Sequence, residues 1–377
     1  MGMAETTEIR VPFLDLGAIH SDLKDDLLES FSALIDSGAF INGPAVREFE
    51  DAFAEYVGTD TAIGLASGLD ALRLGLLAAG LQPGDEVIVP ANTFVATLEA
   101  VTQAGGVPVP VEMSEADWNI DVHAAERAVS ERTRFLMPVH LYGQMADMQA
   151  LVELAERRGL TLVEDACQAH GAERDGIRAG TKGTFSAFSF YPGKNLGAFG
   201  DAGALTTDDS ELADAVKSLR EHGQRAKYEH EREGWTARLD TIQAIVLLAK
   251  LARIDRWNGE RRTIAKHFLE HLDGVGDLEL PPVAPDSSPV WHLFVVRTAD
   301  PAAVADFLRS RGIATGRHYP DPVHLTEAYR WLGYGPGSFP LAERHGERVL
   351  SLPIFPGMTI DDAKAVVAAL AEYFDGG

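Results

Sequence analysis

Short apolar runs alternate with longer runs of helical spacing through much of the chain. The strand-like runs lie at residues 61–66, 86–90, 107–111, 134–140, 161–167, 183–190 and 202–207. Each of the first four precedes a segment whose apolar residues recur at helical spacing, and a further helical stretch begins near Ser210. This alternation is typical of a parallel sheet with helices on both faces, so it predicts an α/β fold.

The pattern changes in the C-terminal third of the chain. A long helical region, from about Leu239 to Leu272, is predicted to lead out of the large domain. It is followed by strand-like residues 289–298, helical residues 301–312, strand-like residues 313–319, a Gly-, Pro- and aromatic-rich loop at 327–339 and a last helix from about Asp361. We predict an N-terminal arm (1–24), a large domain (25–245) and a smaller α+β C-terminal domain (246–377).

Composition narrows the class of protein. Hydrophobic residues make up 46% of the 377 residues, which is enough for a sizeable core, and a single cysteine, Cys167, excludes a disulfide framework within the chain. The N-terminus lacks the pattern of a signal peptide, and no run of apolar residues is long enough for a transmembrane helix. We expect a cytoplasmic enzyme that does not bind membranes.

The formal net charge is −24. A surface of this charge repels polyanions, which argues against nucleic acid as a partner. The simplest role of the acidity is solubility. A small anionic substrate remains compatible with the charge if a local basic patch binds it.

Two polar features follow predicted strands, at the sheet edge where α/β proteins bind ligands. Ser67 and Gly68 lie between a strand and a helix, where free N–H groups and a hydroxyl can bind phosphate; alternatively, Ser67 only caps the helix. Glu164 and Asp165 end an apolar strand, where a carboxylate would point at a ligand or would cap the next turn.

The third feature is Lys194, the one cation in the glycine-rich segment FSFYPGKNLGAFGDAGAL at residues 188–205. An amine with the ordinary pKa of about 10.4 is a poor nucleophile at neutral pH, but desolvation would lower that pKa. A solvated surface cation is the simple alternative. A phosphate-binding P-loop is excluded, because Phe188 stands where its first glycine is required and Asn195 follows the lysine.

Together these features fit pyridoxal 5′-phosphate. This cofactor needs a lysine for covalent attachment, a carboxylate beside its ring nitrogen and a cup for its phosphate. Lys194, Asp165 and the Ser67 turn supply one of each. The glycines around Lys194 are predicted to let the backbone approach a flat ring closely. No metal site is predicted.

Longer sequence motifs occur along almost the whole chain. They are PFLDL (12–16), GLASGLDAL (64–72), PANTFVAT (90–97), EDACQAHGA (164–172), the Lys194 segment, HGQRAKYEHEREG (222–234), RLDTIQA (238–244), HYPDPVHL (318–325) and LSLPIFPGMT (350–359). In content and order they resemble the DegT/DnrJ/EryC1/StrS family of nucleotide-sugar aminotransferases. The resemblance implies the aspartate aminotransferase fold, PLP-dependent fold type I, with a mainly parallel sheet in the large domain.

The resemblance also implies roles for the cofactor site. Lys194 would bind the cofactor covalently and then transfer protons, and Asp165 would bind the pyridine nitrogen. Gln168 would bind the ring hydroxyl. Phe94 would stack on the ring, unless it only packs in the core. The phosphate would be held by Ser67, Gly68 and Ser189.

One position departs from the family pattern. In the motif GxNxRLD the family has an asparagine that reaches the phosphate of the neighbouring subunit's cofactor, but residues 234–240 read GWTARLD. Thr236 is shorter and offers fewer donors than asparagine. This puts that single contact in doubt.

The family's active site lies at the interface of a homodimer, with residues shared between subunits. Arg225, Lys227 and Tyr228 would then supply the basic patch for a nucleotide diphosphate, although they also suit a solvated loop. Tyr191, His318 and Tyr319 would line the sugar pocket. His324 and His170 suit a structural role equally well.

The sequence therefore predicts transfer of an amino group from glutamate to a nucleotide-linked keto-deoxysugar. The motifs around Lys194 and residues 222–230 look most like enzymes that aminate C3 of dTDP-3-keto-6-deoxyhexoses in antibiotic and surface-glycan pathways. Amination at C4 is the alternative, since it uses the same cofactor residues. A sugar dehydratase of this fold would have histidine in place of Lys194, and a non-catalytic regulator would not need the intact Lys194, Asp165 and Gln168.

Overall fold

The computed structural model describes residues 8–376, so residues 1–7 of the predicted N-terminal arm, and residue 377, lie outside the described residues. The strands are β1 (Thr61–Leu65), β2 (Glu86–Pro90), β3 (Val107–Val111), β4 (Thr133–Leu136), β5 (Thr161–Asp165), β6 (Glu173–Arg174), β7 (Ile177–Arg178), β8 (Phe185–Ser189), β9 (Gly203–Thr207), β10 (Gln224–Ala226), β11 (Glu229–His230), β12 (Ser287–Ser288), β13 (Phe294–Arg297) and β14 (Val349–Leu352). The α-helices are α1 (Leu16–His20), α2 (Lys24–Ser37), α3 (Pro44–Val57), α4 (Gly68–Ala78), α5 (Val95–Gln103), α6 (Val122–Ala128), α7 (Met148–Arg158), α8 (Ser210–Arg220), α9 (Thr241–Leu251), α10 (Ile254–His271), α11 (Pro301–Ser310), α12 (Pro340–Arg348) and α13 (Ile360–Asp375).

The central sheet has seven strands in the order β1-β9-β8-β5-β4-β2-β3. The five strands β3, β2, β4, β5 and β8 pair in parallel with one another, in that order. Strand β9 runs antiparallel to both of its neighbours, β8 and β1. Parallel neighbours need a crossover element, but residues 190–202 join β8 to β9 without a helix, so the chain returns antiparallel. The predicted α/β fold with a mainly parallel sheet is confirmed.

Apolar residues cover both faces of this sheet. One face packs against α3, α6, α7 and α9, with Phe49, Phe53 and Leu151 fully buried there. The other face packs against α4, α5 and α8, with Leu72 and Val216 buried. The side chains of adjacent residues in a strand point to opposite faces, and both faces are buried in this sheet.

The C-terminal region has its own apolar core. It is formed by α10, α11, α13, β13 and β14, and Val11 from the N-terminal segment packs into it. The antiparallel pair β13–β14 joins Phe294 to Leu352 and Arg297 to Val349. The predicted boundary at residue 245 falls inside α9, which packs on the core of the central sheet, and the division into domains stays a prediction.

The helical region predicted at 239–272 is present and consists of two helices, α9 and α10. Two local predictions are wrong. Residues 313–319 form no strand; one isolated bridge joins Gly316 to Ser351 of β14, and another joins Ile313 to Val11. Part of the predicted loop at 327–339 is a 3-10 helix, Glu327–Leu332. Between residues 8 and 376, no helix has the length and hydropathy to cross a membrane.

Candidate active site

A cavity of about 720 Å³ opens at the carboxyl ends of the central strands. Its walls come from the start of α4, the start of α5, the ends of β5 and β8, the Lys194 loop and segments of the C-terminal region. The cavity brings together ten of the predicted site residues: Ser67, Gly68, Phe94, Asp165, Gln168, Ser189, Tyr191, Lys194, His318 and Tyr319. This position agrees with the ligand-binding edge expected for open α/β sheets.

Asp165 is the last residue of β5 and is only 5% exposed. Its Oδ2 accepts a hydrogen bond from the Thr97 hydroxyl at 2.8 Å, and its Oδ1 accepts one from the Cys167 N–H at 3.2 Å. The Thr97 hydroxyl is in turn 2.9 Å from that of Thr93. Buried donors therefore fix the orientation of this carboxylate. Thr93 and Thr97 were not among the predicted site residues, although both lie within the PANTFVAT motif.

Glu164 does not line the cavity, although it was predicted together with Asp165 as a carboxylate facing a ligand. Adjacent residues of a strand face opposite sides of a sheet, so Glu164 turns to the other face. There it is fully buried and accepts hydrogen bonds from the N–H groups of Gly180 and Lys182 and pairs with His140 at 2.9 Å. Burial by itself raises the pKa of Glu164, but these donors hold it below its ordinary value.

Lys194 follows β8 in a tight loop, in which its N–H donates to the Tyr191 carbonyl at 2.8 Å. Burial lowers the pKa of its amine below the ordinary value, while nearby Asp165 favours the charged form. Lys194 is half-buried and lines the cavity, which argues against a solvated surface cation, and its reactivity stays a prediction. A lowered pKa increases the share of neutral amine, which is the nucleophilic form.

Asn195 anchors the Lys194 loop through a network that the sequence analysis missed. Its Nδ2 donates to Asn258 Oδ1 and to the Val290 carbonyl, both at 2.9 Å, while Asn258 Nδ2 donates to the His170 carbonyl. Asn195 Oδ1 is therefore an acceptor, 3.2 Å from Nδ1 of His292. Because an amide oxygen only accepts, Nδ1 of His292 is the donor in this contact, and burial holds the pKa of His292 well below its ordinary value.

The predicted phosphate cup is a close contact between α4 and the ends of β5 and β8. A Cβ on Gly68 would stand 2.7 Å from both Cys167 Sγ and Ser189 Cβ, so only glycine fits. Gly68 opens α4, and the first N–H groups of a helix have no partner within it. Ser67 caps this helix, accepting from the Asp70 N–H at 3.0 Å, and it also lines the cavity. Ser67 therefore caps the helix, and its binding of a phosphate stays a prediction.

Two glycines of the Lys194 segment, Gly197 and Gly203, serve the protein's own packing, whereas Gly193 lines the cavity. A Cβ on Gly197 would collide with the Pro192 carbonyl, and one on Gly203 with the backbone of Ser67. Gly203 thus lets β9 pass directly beside the start of α4. Gly197 and Gly203 shape the loop and the phosphate cup and do not line the cavity, so room for a flat ring stays a prediction at Gly193 alone.

Two aromatic side chains and an amide form one wall of the cavity. Phe94 is 47% exposed, so core packing is not its role, and its ring lies 5.1 Å from that of Tyr319. Gln168 Nε2 donates to the Tyr319 hydroxyl at 3.2 Å, and its Oε1 accepts from the Tyr142 N–H at 2.7 Å. These contacts hold Gln168 in a fixed orientation and place a flat aromatic surface beside it.

The three histidines named from sequence take different roles. His318 lines the cavity, with Nδ1 2.8 Å from the Ser351 hydroxyl, and burial with Lys194 nearby lowers its pKa to about 4. His324 is buried and pairs with Glu343 at 3.0 Å, so it is structural. His170 is buried against Phe188 and Phe190, and neither of its ring nitrogens has a hydrogen-bond partner among residues 8–376.

The remaining predicted residues lie away from the cavity of the same chain. Arg225 belongs to the β10–β11 hairpin and pairs with Glu231 at 3.1 Å, while Lys227 lies 5.3 Å above the ring of Tyr228, which is 80% exposed. Thr236 is exposed, with its hydroxyl 3.2 Å from Nε2 of His222. None of these residues lines the cavity, so any role at a cofactor requires a second subunit.

The cavity fits pyridoxal phosphate by its donor set and its shape. It combines a desolvated amine, an oriented buried carboxylate, an accessible aromatic face and a helix start whose first residue must be glycine. The carboxylate suits a protonated ring nitrogen, and the helix start suits a phosphate.

Comparison with known proteins places the chain among sugar aminotransferases. The sequence profile described as the DegT/DnrJ/EryC1/StrS aminotransferase family matches residues 21–371. A dTDP-3-amino-3,4,6-trideoxy-alpha-D-glucose transaminase from Streptomyces venezuelae is 49% identical over 364 residues, which are 97% of this chain and 96% of the relative.

Solved structures agree with the sequence comparison. The crystal structure of S. venezuelae DesV in complex with a ketimine intermediate has a TM-score of 0.95 at 48% identity, covering 98% of this chain and 99% of that chain. The structure of NtdA from Bacillus subtilis with bound cofactor PMP has a TM-score of 0.90 at 32% identity, covering 99% of this chain and 87% of that chain.

Proposed function

Because the chain belongs to the DegT/DnrJ/EryC1/StrS aminotransferase family, we propose that it transfers an amino group from L-glutamate to C3 of a dTDP-linked 3-keto-6-deoxyhexose. The enzyme is a pyridoxal phosphate-dependent aminotransferase of fold type I. The proposal of C3 and of a dTDP-sugar rests on the similarity to the S. venezuelae transaminase, whose name specifies that position and nucleotide.

The observation that supports the function most directly is that Lys194 and Asp165 line the same cavity. The cavity contains a lysine whose pKa is lowered by burial and a carboxylate oriented by Thr97. A dehydratase of this fold would lack the lysine, and a binding protein would have no use for a desolvated amine. Amino transfer requires both the lysine and the oriented carboxylate.

Each residue of the cavity has a distinct task in this chemistry. The bound cofactor supplies an electron sink for the carbon that loses or gains a proton. Asp165 would hold the ring nitrogen in its protonated form, and Lys194 would attach the cofactor and then carry the proton between carbon atoms. Phe94 would cover one face of the ring and exclude water from it, while Gln168 would bind the ring hydroxyl.

The phosphate and the sugar nucleotide would use separate parts of the site. Ser67, Gly68 and Ser189 would bind the cofactor phosphate through N–H and hydroxyl donors. Tyr191, His318 and Tyr319 line the cavity and would contact the sugar.

The β10–β11 hairpin would serve the other subunit of a homodimer. Arg225, Lys227 and Tyr228 lie away from the Lys194 cavity in one chain, so we assign them to the diphosphate bound at the other subunit's cavity. Thr236 would contact the cofactor phosphate there. Coexpression of chains carrying Lys194→Ala with chains carrying Arg225→Ala tests this arrangement, since mixed dimers would regain one intact site; no gain over either variant alone would contradict it.

Borohydride reduction followed by peptide mapping tests the covalent attachment. The purified holoenzyme should be yellow, and reduction should fix the cofactor to Lys194. Lys250 is a matched internal control, because burial lowers its pKa to about 8 as well, yet its amine donates to the Gly197 carbonyl at 2.5 Å and lies outside the cavity. Cofactor found on Lys250, or on any other lysine, would contradict the assignment of Lys194.

The substrate is tested with L-glutamate and a panel of dTDP-, UDP- and GDP-linked keto-sugars, with the product located by NMR. We expect a new amine at C3 of a dTDP-sugar together with 2-oxoglutarate. An amine at C4 would overturn the position, and loss of a hydroxyl without a new amine would indicate dehydration.

A further inference from the structure

Arg261 places a guanidinium in the wall of the Lys194 cavity without an acidic partner. The residue lies on α10, one turn after Asn258, and is 2% exposed. The cavity is also lined by the carboxylates Glu99, Asp165 and Asp201. Across the described chain, 8–376, no carboxylate oxygen lies within 4.0 Å of a nitrogen of Arg261.

Backbone carbonyls hold this guanidinium by one nitrogen. Nη1 donates to the carbonyl of Ile354 at 2.7 Å and to that of Trp291 at 3.2 Å, whereas Nε has no partner within residues 8–376. Carbonyl oxygens satisfy hydrogen bonds but bring no net negative charge. A buried charge in a folded protein is normally paired, so this arginine is positioned for an anion that the chain itself does not provide.

The neighbouring histidines do not provide a second full charge. Burial holds the pKa of His292 well below its ordinary value and that of His318 near 4, so both rings are neutral at physiological pH. The positive groups of this part of the cavity are therefore Arg261 and, when protonated, Lys194. Both residues line the same cavity.

We propose that Arg261 binds the α-carboxylate of the amino donor, an assignment that rests on the proposed aminotransferase function. The donor's amino group must reach the Lys194 end of the cavity, and its α-carboxylate is attached to the same carbon. A small two-oxygen anion matches the fork of a guanidinium. The other anions of the reaction have separate sites in the proposed function, because the cofactor phosphate uses Ser67, Gly68 and Ser189 and the nucleotide diphosphate uses the β10–β11 hairpin.

Two unreactive probes test recognition of this carboxylate in the wild-type holoenzyme. L-2-hydroxyglutarate has the glutamate skeleton with a hydroxyl in place of the amine, and 4-hydroxybutyrate is the same molecule without the α-carboxylate. By calorimetric titration, we expect L-2-hydroxyglutarate to bind about tenfold or more tightly than 4-hydroxybutyrate, as for one charged hydrogen-bonded pair. Equal affinity would overturn the proposal.

Substitutions then assign the effect to one residue. Arg261→Met should abolish the difference between the two probes and raise KM for glutamate, while KM for the keto-sugar stays unchanged; Arg261→Lys should restore part of the difference. Arg262→Met is the matched control, because Arg262 is the next residue, donates to the Pro289 carbonyl at 3.1 Å and does not line the cavity. It should bind both probes as the wild type does.

The outcomes separate this proposal from the proposed function. Circular dichroism and cofactor absorbance identify variants that fail to fold. If the Arg261 variants do not fold, the comparison of the two probes in the wild type still tests whether the α-carboxylate is recognised. Normal amino transfer with unchanged probe discrimination in folded Arg261→Met would overturn the role of Arg261 alone. Weakened binding of dTDP, with unchanged binding of L-2-hydroxyglutarate, would assign the arginine to the diphosphate and also overturn it. Absence of any amino transfer by the wild type would overturn the proposed function instead.

Discussion

The hydroxyl of Thr97 donates to Oδ2 of Asp165 at 2.8 Å, and both groups are buried beside the Lys194 cavity. This hydrogen bond joins α5 to the end of β5 and fixes the carboxylate that we assign to the ring nitrogen. Because Oδ1 is held by the Cys167 N–H, the carboxylate has no freedom to rotate away from its orientation.

Thr97→Val should lower kcat/KM for amino transfer by about tenfold or more, because it removes a hydrogen bond to a charged group without changing side-chain volume. Steady-state kinetics on the holoenzyme measure this. Thr102→Val is the control on the same helix, since that hydroxyl donates to the carbonyls of Leu98 and Glu99 at 3.2 Å. A similar loss in both variants would mean that Thr97 acts only through the helix.

Asp165→Ala should reduce turnover by about a hundredfold or more while costing little stability, because it removes the electrostatic partner of the ring nitrogen. Glu164→Gln should instead cost stability and change turnover little. It places an amide against the N–H groups of Gly180 and Lys182 and should cost about 1–3 kcal/mol of unfolding free energy. Turnover and thermal melts of both variants measure the contrast, and near-wild-type turnover of Asp165→Ala would contradict its role.

His170 should make the protein sensitive to acid. Burial, with Lys194 nearby, lowers its pKa to about 3, whereas in the unfolded chain the pKa is about 6.5. The unfolded state therefore binds a proton first, and stability that is present above pH 6.5 is lost as the pH falls toward 3.

His170→Leu should therefore show a smaller fall in unfolding free energy between pH 6.5 and 4 than the wild type, as measured by denaturant titration at each pH. His123→Leu, at an exposed position, is the control and should follow the wild-type curve. An unchanged slope in His170→Leu would show that this ring does not contribute to acid sensitivity.

Thr236→Asn should retain the cofactor as well as the wild type or better, because asparagine is longer and offers two N–H donors to a phosphate. Dialysis of the purified protein, followed by absorbance of the remaining cofactor, measures retention. Thr236→Ala, which loses the hydroxyl near His222, should retain less. Weaker retention by the asparagine variant would show that Thr236 is adapted to a different contact.

Much of the fold was predictable because it depends on local pattern. The apolar runs gave all seven strands of the central sheet to within a few residues, since a strand buried on both faces must be apolar. The break between α9 and α10 and the 3-10 helix at Glu327–Leu332 were not predicted, because apolar spacing alone marks neither the end of α9 at Leu251 nor a 3-10 helix in a loop-like segment.

The sequence by itself determined the chemistry of the site, since Lys194, Asp165 and the Ser67–Gly68 turn are residue types that pyridoxal phosphate requires, in motifs that the family shares. The tertiary structure decided which neighbours act with them. It turned Glu164 away from the cavity, brought Thr97 to Asp165, and placed Arg261 in the wall without an acidic partner. Strand alternation and the crossing of distant helices set those contacts, and both depend on how remote parts of the chain pack together.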